Sequence, residues 1–509
     1  MESEVEPTRE ELLLLLSAKG ATITQQSELI EGLVAQVEGL IAQNKGLAEQ
    51  VEALTLQVAA LVRQRDKNSS NSSKPPSSDS PFGKPAPKRS SRTSSGHRRG
   101  KQDGSPGQTL KLVDDPDERF THDPQACHGC GGSLADAPVF DERRHQVFDA
   151  PPPPPRPHVT EYRIVSRTCT NCGTTSEGEV PAWARGRVQY GPKLLARAVW
   201  LVCAHHLPVR RAASVLATLL GSPVSTGWTA AVRGRAARLL ESAFLPRVRE
   251  LIASAPIAHA DETCARADGA LRYLHVASTE HLTAMHIGDR TSESIDAGGI
   301  WPSFDGVLVR DGYGGYLHLG QALHAWCGAH LLRDLHSVHE GDPAGQLWAD
   351  AMATTLCEAN EAANAARAAG RDALEPHVLA KIRNRYLGAL ARGHDDTKGK
   401  HGPLADAART LIGRFKRHED MILRFATDLR VPFTNNLAER DQRPVKVQQR
   451  TSGGCWRTLQ GLIDFAVVQS YLSTVGKWGL DKLDALEQLF TTGAWLPPAL
   501  TPHSTAAAA

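Results

Sequence analysis

Two short apolar stretches, each running into an aspartate, constrain this chain more than any other feature in it. In GVLVRDGYGGY (306–316) the run Val307, Leu308, Val309 reads as a buried strand ending at Asp311, with glycines at 312, 314 and 315 behind it. In PIAHADET (256–263) a second apolar strand ends at Asp261. A carboxylate at the end of a buried strand is held on a rigid scaffold and faces an opening. A third acid, Glu439, lies in FTNNLAERDQRPVK, which reads as a helix start with Asn435 or Asn436 as N-cap. Three carboxylates at close quarters repel one another, and one or more stays protonated. Mg²⁺ or Mn²⁺ removes that repulsion and takes oxygen ligands by preference, so Asp261, Asp311 and Glu439 form a candidate metal site.

Around these acids the sequence lays out an α/β core over 255–495. PIAHAD, LRYLHVAS and LTAMHI read as three successive strands, with turns at Asp268-Gly269 and Glu280-His281. GVLVRD and ALHAWC follow as the fourth and fifth. The segment between the third and fourth strands, TSESIDAGGIWPSF, reads as a poor helix. Acids ending strands one and four, on a meander followed by strands alternating with helices, match the ribonuclease-H-like pattern. Cys327-x2-His330 comes after the fifth strand. It offers only two ligands, so it reads as a packing and orienting pair beside the acids. Residues of about 340–430 are Ala-rich with a helical period and read as a helical insertion between the second and third acids.

Past Glu439 lie Arg440, Arg443, Lys446 and Arg450, a basic face beside an acidic site, as a phosphodiester substrate requires. Asp441 and Asp334 are the nearest alternatives to Glu439 as third acid. Asp268, Asp289 and Asp305 fall in turns or loops and read as solvated.

Upstream of the core the chain changes character three times. Over 1–64, Ile30, Val37, Asn44, Val51 and Val58 recur every seven residues, and Leu33, Leu40, Leu47, Leu54 and Leu61 fill the other apolar heptad position. β-Branched residues at a, Leu at d and one Asn at a favour a parallel two-stranded coil through 27–62. Residues 65–111 hold too few apolar side chains to bury a core and read as a disordered basic linker. Their net charge is +8 (11 Lys/Arg, 3 Asp/Glu), against −6 for residues 1–64 (4 Lys/Arg, 10 Asp/Glu). Over 112–185, Cys127-x2-Cys130 and Cys169-x2-Cys172 are each followed at once by Gly. Four thiolates in two such knuckles suit a closed tetrahedral Zn²⁺, a structural zinc ribbon and not a catalytic site. Residues 186–254 are helical. The pair around SPVST reads either as a helix-turn-helix, with Arg233, Arg235 and Arg238 toward DNA, or as an ordinary helical pair on the core.

A chain of 509 residues has room for several domains. No apolar run approaches the roughly 20 residues of a membrane span. Nine cysteines, four of them in CxxC pairs, point to metal binding in a reducing compartment, the cytoplasm. Residues 496–509 read as a disordered tail.

Taken together, the zipper, NSSKPPSSD at 71–79, the CxxC pairs, HADET, VLVRDGYGGY, the Cys-x2-His followed by Arg333, and NNLAERDQRPVKV resemble the transposases of the insertion sequence sixty-six family. The resemblance covers nearly the whole chain. It implies a ribonuclease-H-like catalytic domain with an Asp-Asp-Glu site at Asp261, Asp311 and Glu439. Such a site holds two Mg²⁺ (or Mn²⁺) ions roughly 3.5–4 Å apart. The implied activity is metal-dependent DNA strand cleavage and strand transfer at the ends of an insertion sequence. The implied partners are transposon-end and target DNA, a second copy of the chain, in a homodimer or higher oligomer, and accessory proteins of the same element; no membrane is involved. Two further readings stay open. One is a non-enzymatic dimeric DNA-binding protein, a degenerate transposase; the other is a structure-specific nuclease on the same fold.

Overall fold

The computed structural model describes residues 8–66 and 110–499. Most of the basic linker and the last ten residues lie outside the described residues. The heptad region is one helix, α1 (Arg9–Asp66), 58 residues and so about 87 Å long. Its heptad residues from Ile30 to Leu61 are each more than half exposed, apart from Asn44, which is simply exposed.

The described residues divide into two compact units, one of 110–179 and 210–226, the other of the remainder. In the first, the two cysteine knuckles share one backbone design. The Cys127 N–H donates to the Gly132 carbonyl (2.8 Å) and the Cys169 N–H to the Thr174 carbonyl (2.9 Å). Gly131 and Gly173 close the turns at φ +74° and +72°. The second knuckle sits at the tip of an antiparallel hairpin, β1 (Ser166–Thr168) and β2 (Thr175–Glu177). The strand expected over EYRIVSRT is thus only its last three residues. Helices α2 (Pro192–Val199), α3 (Val209–Leu220) and α4 (Thr226–Ala253) follow in sequence. Nearly all of α3 belongs to the knuckle unit, whereas α2 and all but the first residue of α4 belong to the other.

The larger unit is built on a mixed sheet of β3 (Ile257–Ala267), β4 (Ala270–Ser278), β5 (Thr283–Gly288), β6 (Val307–Arg310) and β7 (Leu323–Trp326). Its order is β5-β4-β3-β6-β7. The β3–β4 and β4–β5 pairs are antiparallel, and β3–β6 and β6–β7 parallel. Asp268 and Gly269, at φ 52° and 75°, close the β3–β4 hairpin in the primed turn that an Asp-Gly pair favours. Between β5 and β6 the poor helical segment resolves into one turn, α5 (Ser292–Asp296), capped by Thr291 Oγ1, which accepts from the Ser294 N–H. Buried Trp301 and Phe304, edge to face at 5.6 Å, anchor the rest of it.

Helices cover both faces. On one side α6 (Gly328–Gly341), α7 (Leu347–Ala368), α8 (Pro376–Thr397) and α9 (Pro403–Arg417) share a continuous apolar core with β6 and β7 around Trp348, Tyr386 and Phe415. The expected insertion therefore shares its apolar core with the sheet of the larger unit. Short α10 (Glu419–Ile422) and α11 (Arg424–Thr427) lead to α12 (Asn436–Thr451), α13 (Leu459–Lys477) and α14 (Lys482–Leu489). A sheet edge leaves unpaired backbone groups. Here α13 satisfies the edge strand β5: Ser470 Oγ accepts from the Met285 N–H (2.9 Å) and Thr474 Oγ1 from the Thr283 N–H (3.1 Å). Among the described residues no helix is long and apolar enough to cross a membrane.

Candidate active site

Register places the first two acids. β3 and β6 pair in parallel through His259↔Val309. Two residues on, past the last β3–β6 pair, stand Asp261, still inside β3 and paired with Val276 of β4, and Asp311, the first residue after β6. Asp261 is buried. Its Oδ1 accepts from the Glu262 N–H (2.9 Å) and its Oδ2 from Gln442 Nε2 (2.6 Å). Neither donor carries a charge. Its pKa is raised well above the usual carboxylate range, first by burial, then by Asp311, Glu262 and Glu439. The Asp311 carboxylate accepts from the Tyr313 N–H (2.9 Å), which turns the chain back on itself. Arg310, fully buried, braces that turn by donating to the carbonyls of Asp311 (2.9 Å) and Tyr313 (2.8 Å).

The third acid arrives on α12, and its helical spacing sorts the roles. Ala438, Asp441, Val445 and Gln448 are buried in the core. Glu439, Gln442 and Lys446 form the adjacent stripe. There Gln442 reaches Asp261, and Lys446 Nζ donates to the Cys264 carbonyl on β3. Arg440, Arg443 and Arg450 make an exposed outer stripe. Residues three, four and seven apart on a helix share a face, which is why one short segment separates into three functions.

Asn435 holds this helix to the sheet, and the sequence reading assigned it only a cap. It occupies the N-cap position, but its side chain makes no capping bond. Fully buried, it meets His259 Nδ1 through Oδ1 (2.9 Å) and donates Nδ2–H to the Ala260 carbonyl (2.7 Å), while its backbone N–H donates to Cys327 Sγ (3.2 Å). One residue thereby ties the strand of Asp261, the start of α6 and the helix of Glu439. Gly328 permits the approach: a Cβ there would lie 2.1 Å from the Phe433 ring.

A fourth acid also missed from the sequence is Glu262. Its side chain is 2% exposed and accepts from Arg290 Nε (3.0 Å) and Nη2 (2.7 Å). Its pKa is pushed up to about 7, chiefly by burial and next by Asp311. Arg290 lies 4.0 Å over the Tyr313 ring at the rim. The signal available in the sequence was the second acid of HADET.

The two alternatives for the third acid are occupied elsewhere. Asp441 Oδ2 accepts from Ser278 Oγ (2.7 Å) and Thr283 Oγ1 (2.8 Å) and pairs with Lys477 (2.6 Å). Asp334 pairs with Arg414 (3.1 Å). Asp289 pairs with Arg272, and Asp268 and Asp305 are exposed. Of the arginines on α4, Arg233 is half-buried against Gly461 of α13, and Arg235 lies 5.9 Å over the Phe490 ring; Arg238 is exposed.

The structure brings the potential metal ligands together unevenly. Among the described residues, one set of three or more His, Cys, Asp or Glu ligand atoms closes to within 4.8 Å of one another, namely Cys327, His330 and Glu439. Asp311 and Glu439 both raise the Asp261 pKa, but the three acids do not close to that distance. In the knuckles all four cysteines are free thiols, and hydrogen bonds from Cys130 and Gly129 lower the Cys127 pKa while those from Thr174 and Cys169 lower that of Cys172. The four thiols do not close into a single group.

Comparison with known families gives two matches. A family of unknown function matches residues 22–111, the span of the heptads and the basic linker. The transposase IS66 family matches residues 187–462, more than half of the chain and inclusive of Asp261, Asp311 and Glu439. No curated protein matches. The chain belongs to the IS66 family of transposases.

Proposed function

We propose that the chain cleaves DNA strands at the ends of an insertion sequence and joins them to target DNA, with Asp261, Asp311 and Glu439 as its catalytic acids. The observation that carries this reading is the charge of the site. Asp261, Glu262, Asp311 and Glu439 lie on adjoining elements, and the only charged partner of the group at hydrogen-bonding distance among the described residues is Arg290, already engaged by Glu262. Arg310 lies close enough to act on Asp311 and Glu262, but its hydrogen bonds go to the carbonyls of Asp311 and Tyr313 and to His324, so four acids face two guanidinium groups. A buried surplus of negative charge with oxygen donors fits Mg²⁺ or Mn²⁺. Asp261, Asp311 and Glu439 would hold the metal, Gln442 fixes Asp261 Oδ2, and Arg290 offers a guanidinium at the rim to a phosphate. When bound, divalent metal supplies activation of the attacking oxygen and charge stabilisation at the leaving oxygen.

The strand order, a meander of β3–β5 with β6 and β7 parallel beyond β3, supports the ribonuclease-H-like reading of the core. Exposed Arg440, Arg443 and Arg450 supply a face for the DNA backbone beside the acids. Arg233, Arg235 and Lys446 make internal contacts here and serve DNA only if those loosen. The matched backbone turns of the two knuckles support a structural Zn²⁺ held by Cys127, Cys130, Cys169 and Cys172. The exposed heptad stripe of α1 supports a parallel dimer through 27–62, which would hold two transposon ends together.

The test is to incubate the purified chain with DNA carrying the element's ends, with and without Mg²⁺, and map the strands. Cleavage and joining that depend on metal are the expected outcome. Cleavage without joining makes it a nuclease, and binding without cleavage makes it a DNA-binding protein.

A further inference from the structure

We propose that Cys327, His330 and Glu439 form a separate site for a borderline divalent ion, Zn²⁺ by its chemistry, that competes with the acid cluster for Glu439. Three ligand atoms of mixed type lie within 4.8 Å of one another although Glu439 is more than a hundred residues from the other two. Two of these atoms are orphans. His330 Nδ1 and Glu439 Oε1 are buried, have no hydrogen-bond partner and face each other at 3.7 Å. Polar atoms in that condition are rare in native interiors and mark a missing partner.

The third member is a buried thiol at a helix start. Cys327 is the N-cap residue of α6, where the helix dipole favours an anion, and its Sγ accepts from the Asn435 N–H. Burial keeps the free thiol protonated, with its pKa pushed up to about 11. Binding therefore forms an S–metal bond and releases the thiol proton to solvent. Three ligands at zinc distances stand about 3.5 Å apart, so the group needs to close by only about 1 Å. The frame that must close is stiff at one end, because Gly328 packs on Phe433 and its N–H donates to the Phe433 carbonyl (2.8 Å).

Ligand chemistry separates this site from the acid cluster. A thiolate and an imidazole suit Zn²⁺ and are poor ligands for Mg²⁺. Three protein ligands leave a fourth position open, unlike the closed set of four cysteines. A carboxylate can bridge two ions, but zinc on Oε1 draws Glu439 toward His330. Zinc here withdraws the third carboxylate from Asp261 and Asp311 and holds the site idle; this consequence, but not the site itself, rests on the catalytic reading above.

The experiment titrates Co²⁺ into the metal-free full-length chain and follows thiolate-to-cobalt absorption and the visible bands of tetrahedral cobalt. Circular dichroism checks each variant's fold. The parent should take up one more tetrahedral cobalt than Cys327→Ser, and His330→Ala, a milder change at a half-buried position, should lose the same ion. Equal uptake by the parent, Cys327→Ser and His330→Ala overturns the site. A second readout is the ratio of strand cleavage in Mg²⁺ with and without micromolar Zn²⁺. That ratio should fall at least about tenfold in the parent and stay near one in His330→Ala. Equal inhibition in both overturns the competition. Absence of cleavage in every protein tells against the catalytic reading, and the cobalt result then decides the site alone.

Discussion

Glu439 and Asp441 stand two residues apart on α12 and meet opposite fates. Asp441 enters a closed pocket where Ser278, Thr283 and Lys477 all serve one carboxylate oxygen. Glu439 enters an open one, beside Asp261, Glu262 and Asp311, with its own Oε1 unpartnered. His330 Nδ1 stands 3.7 Å from that oxygen, and burial lowers the imidazole pKa. Both pockets bury negative charge, and only one balances it. The balanced pocket is scaffold: Lys477 also donates to the Thr279 and Leu282 carbonyls and so pins the β4–β5 turn. Buried like charges raise the Asp261 and Glu262 carboxyls, so the unbalanced pocket opposes folding wherever they ionise.

Substitution should separate the two pockets by kind. Asp261→Asn, Asp311→Asn or Glu439→Gln keeps shape and removes charge from the open pocket. Strand cleavage should drop by at least on the order of 10²-fold in each, since a misplaced reacting group alone costs that much. Double variants should lose little more, because the acids act as a unit. DNA binding and the folded spectrum should persist, and Asp268→Asn and Asp305→Asn should behave as the parent. A Glu439→Gln protein that cleaves like the parent removes Glu439 from the site.

In the closed pocket the effect should fall on stability. Asp441→Asn or Lys477→Met leaves one buried charge or donor set unmatched, at a cost of about 3–5 kcal/mol in denaturant melts. The double change Asp441→Leu with Lys477→Met should cost less than the sum of the singles. Singles within about 0.5 kcal/mol of the parent would show that the pocket is not scaffold.

The open pocket was far more legible in the sequence than the closed one. Asp261 and Asp311 announce themselves through the apolar runs before them, and the Asp268-Gly269 turn through its residue types, although β3 does not end at Asp261 as expected but runs on to Ala267. Glu439 stood in a readable helix start. What the sequence did not carry was long-range partnership. Asn435 looked like a cap because Asn at a helix start usually is one; only the nearness of His259 and Ala260 redirects its side chain. Cys327 and His330 looked like half a metal site because their third neighbour lies on a distant helix. Asp441 looked like a spare ligand because its partners come from β4, β5 and α13. Glu262 was passed over because strand alternation turns it away from Asp261's face, yet it meets Asp311 beyond the strand end. The helical insertion was legible from its period, but helical periodicity does not say what a helix covers, so its shared core with β6 and β7 was not.

A gentler perturbation, pH, should also distinguish the pockets. Glu262 is pushed from the ordinary 4.5 to about 7, and Asp261 is raised as well. Over that interval the folded chain keeps protons that the unfolded chain has released, so stability falls as pH rises from about 4.5 through about 7. Mg²⁺ should reverse the loss at the upper end, and less so in Glu439→Gln. Thermal melts at pH 5 and 7.5, with and without Mg²⁺, give the comparison. A metal-free melt that does not fall between those values denies the charge surplus.

The smallest effect on either pocket should come from removing the zipper. Residues 27–62 lie on a helix whose described side chains are all exposed, so their loss uncovers nothing in the sheet. Their apolar stripe gains stability only by packing against another helix, because an exposed helix holds itself together poorly. Deleting them should lower the assembly by one level in light scattering. The cost of Asp441→Asn and the response to Mg²⁺ should remain as in the full-length chain. Asn44→Val should tighten association and loosen the choice of oligomer, because an Asn at the a position sets register at the expense of stability. If scattering reports the same oligomer with and without 27–62, the subunits meet through another surface. If instead the deletion abolishes the Mg²⁺ response, the open pocket depends on pairing of two chains, and its independence from the N-terminal helix is wrong.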